Sequence, residues 1–110
     1  MKPKIKINLE EILKTESPVV LELGCGKRKK AGRIGIDRLD LPEVDIVANL
    51  EDGLPFLPDN SVDEIHSKSL LEHIDNLGFF MQEIWRVLKP DGKKYLFIPS
   101  AILTLHTFSL

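Results

Sequence analysis

The sequence predicts an α/β domain built on an open parallel sheet of about five strands with reduced helices. Three observations carry this. A short β-branched run, Val19-Val20-Leu21-Glu22-Leu23, leads directly into Gly24-Cys25-Gly26, a strand running into a glycine-bracketed turn. Four more short apolar runs follow, at residues 33–38, 44–50, 62–67 and 95–99. Between the last two lies an amphipathic helix over residues 77–89, in which Leu77, Phe80, Met81, Ile84, Trp85 and Leu88 recur at helical spacing. A chain of 110 residues, 43% apolar and 29% charged, is long enough for one core and one domain.

The glycine turn is the expected ligand corner, because ligands of open α/β sheets bind outside the carboxyl ends of the strands. Gly24 and Gly26 supply backbone where a side chain would force an unfavourable torsion or stand between chain and ligand. Glu22, a carboxylate in an apolar strand, must find donors in the loop's own amides or in an amine-bearing ligand. A dinucleotide fingerprint would need a third glycine where Lys29 stands, and Asp37 comes too early to serve as its ribose acid. A phosphate loop ending in Gly-Lys-Ser/Thr is absent, and the Lys27-Arg28-Lys29-Lys30 run reads as a solvated loop.

Asn8 can cap a short helix over residues 9–15, with Glu11 placed for a capping box and Leu9, Ile12 and Leu13 on the buried face. That helix either packs on the sheet or forms part of a lid, and packing is favoured. Between Gly26 and Ile34 there is no room for a regular crossover helix, so the connection must be a strap. Eight residue steps reach about 26 Å when extended, enough to return along a strand of five or six residues. Asp37 then ends the second strand beside the glycine loop, where its carboxylate can take both hydroxyls of a ribose or pair with Arg33 or Arg38. The next connection is also short, which leaves one face of the sheet thinly covered there. Residues 53–60 form a loop anchored by Leu54-Pro55-Phe56. Asp75 or Asn76 caps the long helix, and Pro90-Asp91-Gly92 stops it and turns the chain. Its aromatic residues read as core.

The net charge of −2 argues against a dedicated nucleic-acid surface, and no stretch approaches a membrane span. Cys25, the single cysteine, suits a reducing compartment and a cytoplasmic protein, and between two glycines it reads as a space-filler. No spacing points to a metal site. Residues 1–17 are expected to form an N-terminal helix region, 18–100 the ligand-binding core and 101–110 an apolar tail.

Taken in order, Val-Leu-Glu-Leu-Gly-Cys-Gly, Gly-Ile-Asp, Asn-Leu-Glu-Asp-Gly-Leu-Pro-Phe, Asp-Asn-Ser-Val-Asp-Glu-Ile, Leu-Leu-Glu-His-Ile and Arg-Val-Leu-Lys-Pro-Asp-Gly resemble a small S-adenosylmethionine-dependent methyltransferase domain of the methyltransf-11 type, with a Rossmann-like fold, over residues 19–100. The resemblance implies a sheet ordered 3-2-1-4-5 with S-adenosylmethionine across the carboxyl ends of strands one, two and four. By position, Glu22, Gly24, Cys25 and Gly26 would line its methionine end, and Asp37 would hold the ribose hydroxyls. Asn49 and Leu50 fall where the family contacts adenine, and Ser67 near the amino-acid part and the substrate. A cofactor with a sulfonium and an ammonium group welcomes carboxylates and needs no phosphate site.

The family usually continues past the fifth strand with a helix and a closing antiparallel strand pair, which this sequence is expected to lack. His73 is the candidate base, against a reading as a packing or capping histidine; His66 and His106 have no supporting neighbours in sequence. Two functions follow: a methyltransferase of unknown acceptor, or a non-catalytic cofactor-binding remnant or partner subunit. An exposed fifth strand and the apolar tail further imply a homodimer.

Overall fold

A computed structural model describes residues 1–68, 70–98 and 103–105. Seven strands form one sheet: β1 (Lys4–Ile5), β2 (Val20–Leu23), β3 (Ile34–Asp37), β4 (Ile46–Val47), β5 (Val62–Lys68), β6 (Leu88–Ile98) and β7 (Leu103–Leu105). They lie in the order β1-β4-β3-β2-β5-β6-β7. The five expected strands are β2 to β6, paired in parallel as β4-β3-β2-β5-β6, which is the 3-2-1-4-5 arrangement.

Both edge strands are additions to the expected sheet. β1 runs antiparallel to β4, and Lys4 and Lys6 on this arm hold Asp40 at 2.9 and 2.6 Å. β7 runs antiparallel to β6, pairing Leu96 with Leu105 and Ile98 with Leu103. One short antiparallel strand thus stands beyond the fifth, where a closing pair is expected to be missing, and it pairs with residues 96–98 of the strand expected to stand exposed. The remainder of the apolar tail, with Ile102, Phe108 and Leu110, lies outside the described residues.

Local chemistry sets the helix ends. Before α1 (Leu9–Lys14), Asn8 Oδ1 accepts from the Glu11 amide at 3.2 Å and its Nδ2 donates to Glu11 Oε2 at 3.1 Å, a reciprocal cap. Before α2 (Leu77–Val87), it is Asn76 whose Oδ1 accepts from the Phe79 amide at 3.1 Å. The buried stripe of α2 is Phe80, Ile84 and Val87. Trp85 departs from the core reading: it is 45% exposed, and the Lys94 ammonium lies 4.6 Å from its ring centroid.

The chain turns at Val87 rather than at Pro90-Asp91-Gly92. Those three residues lie within β6, at an irregularity where β5 pairs Val62 with Leu88 and then Glu64 with Lys93. Proline lacks a ladder donor, so a bulge can accommodate it where a regular ladder position could not.

One face of the sheet buries Leu21, Leu23, Ile36 and Ile65 in a single cluster with Phe80 and Ile84 of α2. Among the described residues α2 is the longer of two α-helices, and it packs on this face. The strap after the glycine turn covers β3 so closely that a Cβ on Gly35 would stand 2.7 Å from both Cys25 Sγ and Lys29 Cδ. Lys29 departs from the solvated reading of the basic run, because its ammonium pairs with Asp45 at 2.7 Å and pins the strap. Among the described residues no helix is long and apolar enough to cross a membrane.

Candidate functional site

The turn after β2 is left-handed at both glycines, with φ of +68° at Gly24 and +55° at Gly26, a conformation that a side chain would strain. The Gly24 amide donates to Ile36 O at 2.7 Å, which ties the turn to β3. Asp37, at the end of β3, accepts from the Gly26 amide at 2.8 Å through Oδ2 and from the Leu39 amide at 3.0 Å through Oδ1. The alternative arginine pairing is not what the geometry gives: Arg33 turns instead to Glu22, at 3.1 Å.

Two cavities meet at Gly24. The smaller, about 340 Å³, is walled by Asp37, Asn49, Leu50 and Leu70, with His73 on its rim. The larger, about 850 Å³, is lined by Glu22, Cys25, Gly26, Ser67, His66 and Tyr95 together with a basic rim. The eight expected cofactor residues all line these two cavities: Asp37, Asn49 and Leu50 the smaller, Glu22, Cys25, Gly26 and Ser67 the larger, and Gly24 both.

Asn49 is engaged as a cap: its Oδ1 accepts from the Glu51 amide at 3.0 Å and starts the single turn Leu50–Asp52 that presents Leu50. Glu51 reaches across to accept from the Asp75 amide at 2.9 Å, fastening this wall to the start of α2. Glu22 finds the loop's own donors, since its Oε1 accepts from the Lys30 amide at 3.2 Å as well as from Arg33. Cys25 is buried, and desolvation, reinforced by the charges of Asp37 and Glu22, pushes its thiol up to about 11. It is neutral and inert at physiological pH, a space-filler against Gly35.

Ser67 is 3% exposed, and its Oγ has no hydrogen-bond partner among the described residues. A buried hydroxyl without a partner costs about 1–3 kcal/mol unless something satisfies it. Its position at the end of β5, on the larger cavity, fits a polar ligand group lying there. His73 closes the turn Leu71–His73, with its side chain 74% exposed on the smaller cavity, whereas Ser67 and Glu22 line the larger one.

Four residues at the site carried no signal in sequence. Arg33 and Leu70 are placed by the strap and by the turn after β5. His66 and Tyr95 are neighbours only because β5 and β6 pair in this register; their rings stack with centroids 4.8 Å apart and planes at 17°, and Glu64 Oε1 lies 2.7 Å from His66 Nε2. The reading of His66 as lacking neighbours is corrected by this pairing.

A parallel sheet ordered 3-2-1-4-5, with a glycine turn and a strand-end acid at its switch point, defines the Rossmann-like methyltransferase class of fold. A family model described as a methyltransferase domain matches residues 27–96, and the chain belongs to that family. Among solved structures, it is similar to a SAM-dependent methyltransferase from Aquifex aeolicus, with 23% identity over 83% of this chain and a TM-score of 0.55. It is also similar to a chain in the complex between the Haloferax volcanii Trm112 methyltransferase activator and a methyltransferase, with 20% identity over 90% of this chain and a TM-score of 0.56. The chain spans 63% and 59% of the lengths of these two. No curated protein matches it.

Proposed function

We propose that this chain binds S-adenosylmethionine across Gly24 and serves methyl transfer to an acceptor that enters through the larger cavity. The observation that carries the reading is the meeting of the two cavities at one left-handed glycine, with the Asp37 carboxylate on one side and, on the other, the Ser67 hydroxyl, which has no partner among the described residues. When bound, the cofactor supplies a methyl group on a sulfonium centre. The chain's own residues hold it. Asp37 offers its carboxylate to the ribose hydroxyls, and Leu50 and Leu70 give the adenine an apolar wall. Glu22 has both of its bonds on Oε1, which leaves Oε2 for the cofactor's ammonium, and Ser67 Oγ gains a polar partner.

Calorimetry with S-adenosylhomocysteine tests this reading directly. Heat of binding is expected, with affinity weakened by Asp37→Ala, and no heat at millimolar ligand would sink it. Catalysis by His73 gains no support from its place on the adenosine side, so the acceptor's proton is assigned to no residue here. The non-catalytic alternative predicts binding without turnover in any acceptor screen. The likeness to a protein solved with an activator supports extending the search to a partner subunit. A homodimer is carried forward for the β6 edge and the tail, with β7 already covering Leu96 to Ile98; light scattering that returns a monomer would refute it. A cytoplasmic location accords with the lone thiol of Cys25.

A further inference from the structure

The larger cavity has a chemistry that the cofactor does not use up. Register places Glu22 of β2, His66 of β5 and Tyr95 of β6 side by side, where they line the larger cavity. The stacked His66 and Tyr95 rings give this floor a flat aromatic surface. Around it stand Lys27, Arg28, Lys30 and Lys68, all exposed and none in an ion pair with another described residue. The one carboxylate in the lining, Glu22, is neutralised by Arg33 at 3.1 Å. Glu64 is held at 2.7 Å by His66, so a chain of net charge −2 gathers four basic side chains without a described ion pair at the mouth of this cavity.

We propose that the larger cavity is the acceptor site and takes a small planar ring carrying an anionic group, the ring lying against the His66–Tyr95 pair and the anion facing the basic rim; this rests on the cofactor reading above. An amine or other cationic acceptor would meet like charge at the mouth, and an aliphatic acid would leave the aromatic floor without a partner. A volume of about 850 Å³ lies within the range of small-molecule sites and has room for a ring beside the methionine end of a cofactor. Single-stranded nucleic acid also combines bases with negative charge, but it needs a basic groove that tracks a backbone, and the basic residues here ring one cavity.

The test is a set of titrations, followed by calorimetry or ligand-detected magnetic resonance, of the chain with para-hydroxybenzoate, para-hydroxybenzamide and cyclohexanecarboxylate, without cofactor. Para-hydroxybenzoate is expected to bind about tenfold more tightly than either the neutral ring or the ringless acid. Lys30→Glu with Lys68→Glu, at exposed positions without a described ion pair, should weaken it by about three- to tenfold. Tyr95→Leu should erase its advantage over cyclohexanecarboxylate. Equal affinity for the three probes, competition by inorganic phosphate at the same concentration as the ring, or tighter binding of a single-stranded oligonucleotide would each overturn the proposal. S-adenosylhomocysteine titrated in parallel separates the two readings: its binding without ring selectivity ends this inference alone, whereas its failure to bind ends the cofactor reading and with it the assignment of the cavity to an acceptor.

Discussion

The carboxylate of Asp37 holds the backbone amide of Gly26 at 2.8 Å, so the end of β3 fixes the shape of the glycine turn that ends β2. The same carboxylate lines the smaller cavity. One group therefore does two things: it orders the left-handed turn, and it stands ready as an acceptor for ligand hydroxyls. Accepting from two backbone amides uses only part of its capacity, since an ionised carboxylate offers about four lone-pair sites.

Replacing Asp37 by Ala should weaken S-adenosylhomocysteine about ten- to hundredfold, the worth of charge-assisted hydrogen bonds of about 1.5–3 kcal/mol. Because the Gly26 and Leu39 amides also lose their partner, thermal unfolding should fall as well. Asp37→Asn keeps an acceptor oxygen for one amide and is expected to recover stability more than affinity. Calorimetry and thermal melts on both variants check this, and an unchanged affinity would remove Asp37 from the binding site.

Gly35→Ala probes the strap. A Cβ there would lie 2.7 Å from Cys25 Sγ, 2.7 Å from Lys29 Cδ and 3.2 Å from Glu43 O. The Lys29 chain can shift, but the sulfur is buried and the carbonyl is backbone. A loss of about 1–3 kcal/mol is expected, as for overpacking elsewhere. Adding Cys25→Ala should return part of it, so that the two substitutions are non-additive in urea melts.

What the sequence made legible was whatever a few neighbouring residues encode. Asn8 and Asn76 cap their helices through the amides three residues on, and Asp37 ends its strand beside the turn because the strap is too short to place it elsewhere. The strand order came through the resemblance rather than from any local pattern. What stayed hidden depends on register. Nothing in Glu22 or Arg33 announces their pairing, and the His66–Tyr95 stack exists only because β5 and β6 align those two positions across 29 residues of chain. β1 was missed because Lys4–Ile5 is too short to show any period. Trp85 looked buried because its spacing fits the apolar series, yet the core-facing stripe of α2 passes through Phe80, Ile84 and Val87 and leaves it at the edge.

Arg86 is expected to be the most costly charged residue to remove. Its guanidinium donates to the carbonyls of Leu54 and Leu57, each at 2.9 Å, to Asp59 at 2.8 Å and to Glu83 at 2.7 Å, stapling the loop after the Leu50–Asp52 turn onto α2. Arg86→Ala leaves two carbonyls without their donor and Glu83 with only the Leu54 amide, a loss of about 2–4 kcal/mol. Arg86→Lys should restore little, because a lysine cannot reproduce the fork. Circular dichroism melts should show a fall in Tm of roughly 10 °C or more for Arg86→Ala; a fall of a degree or two would mean that the loop holds without the staple.

The same staple gives the domain a predictable response to acid. Hydrogen bonding from Arg86, with help from the Leu54 amide, holds Glu83 below its usual value of 4.5, and the Val19 amide and Lys89 hold Asp63 below 3.8. Both carboxyls thus bind protons less readily in the folded chain than in the unfolded one. Above the usual values both states are ionised and the stabilisation is fully present; as pH falls past 4.5 and then 3.8 the unfolded chain takes up protons first, and the stabilisation drains away until the folded-state values are passed. Urea midpoints should therefore be level from about pH 7 to about 5.5 and fall steeply below. Glu83→Gln keeps the shape of the side chain but has no proton to gain, so it should start from a lower midpoint at neutral pH and descend less steeply. If the variant follows the parent's acid slope unchanged, the response belongs to other carboxylates and the Arg86–Glu83 pair is not its source.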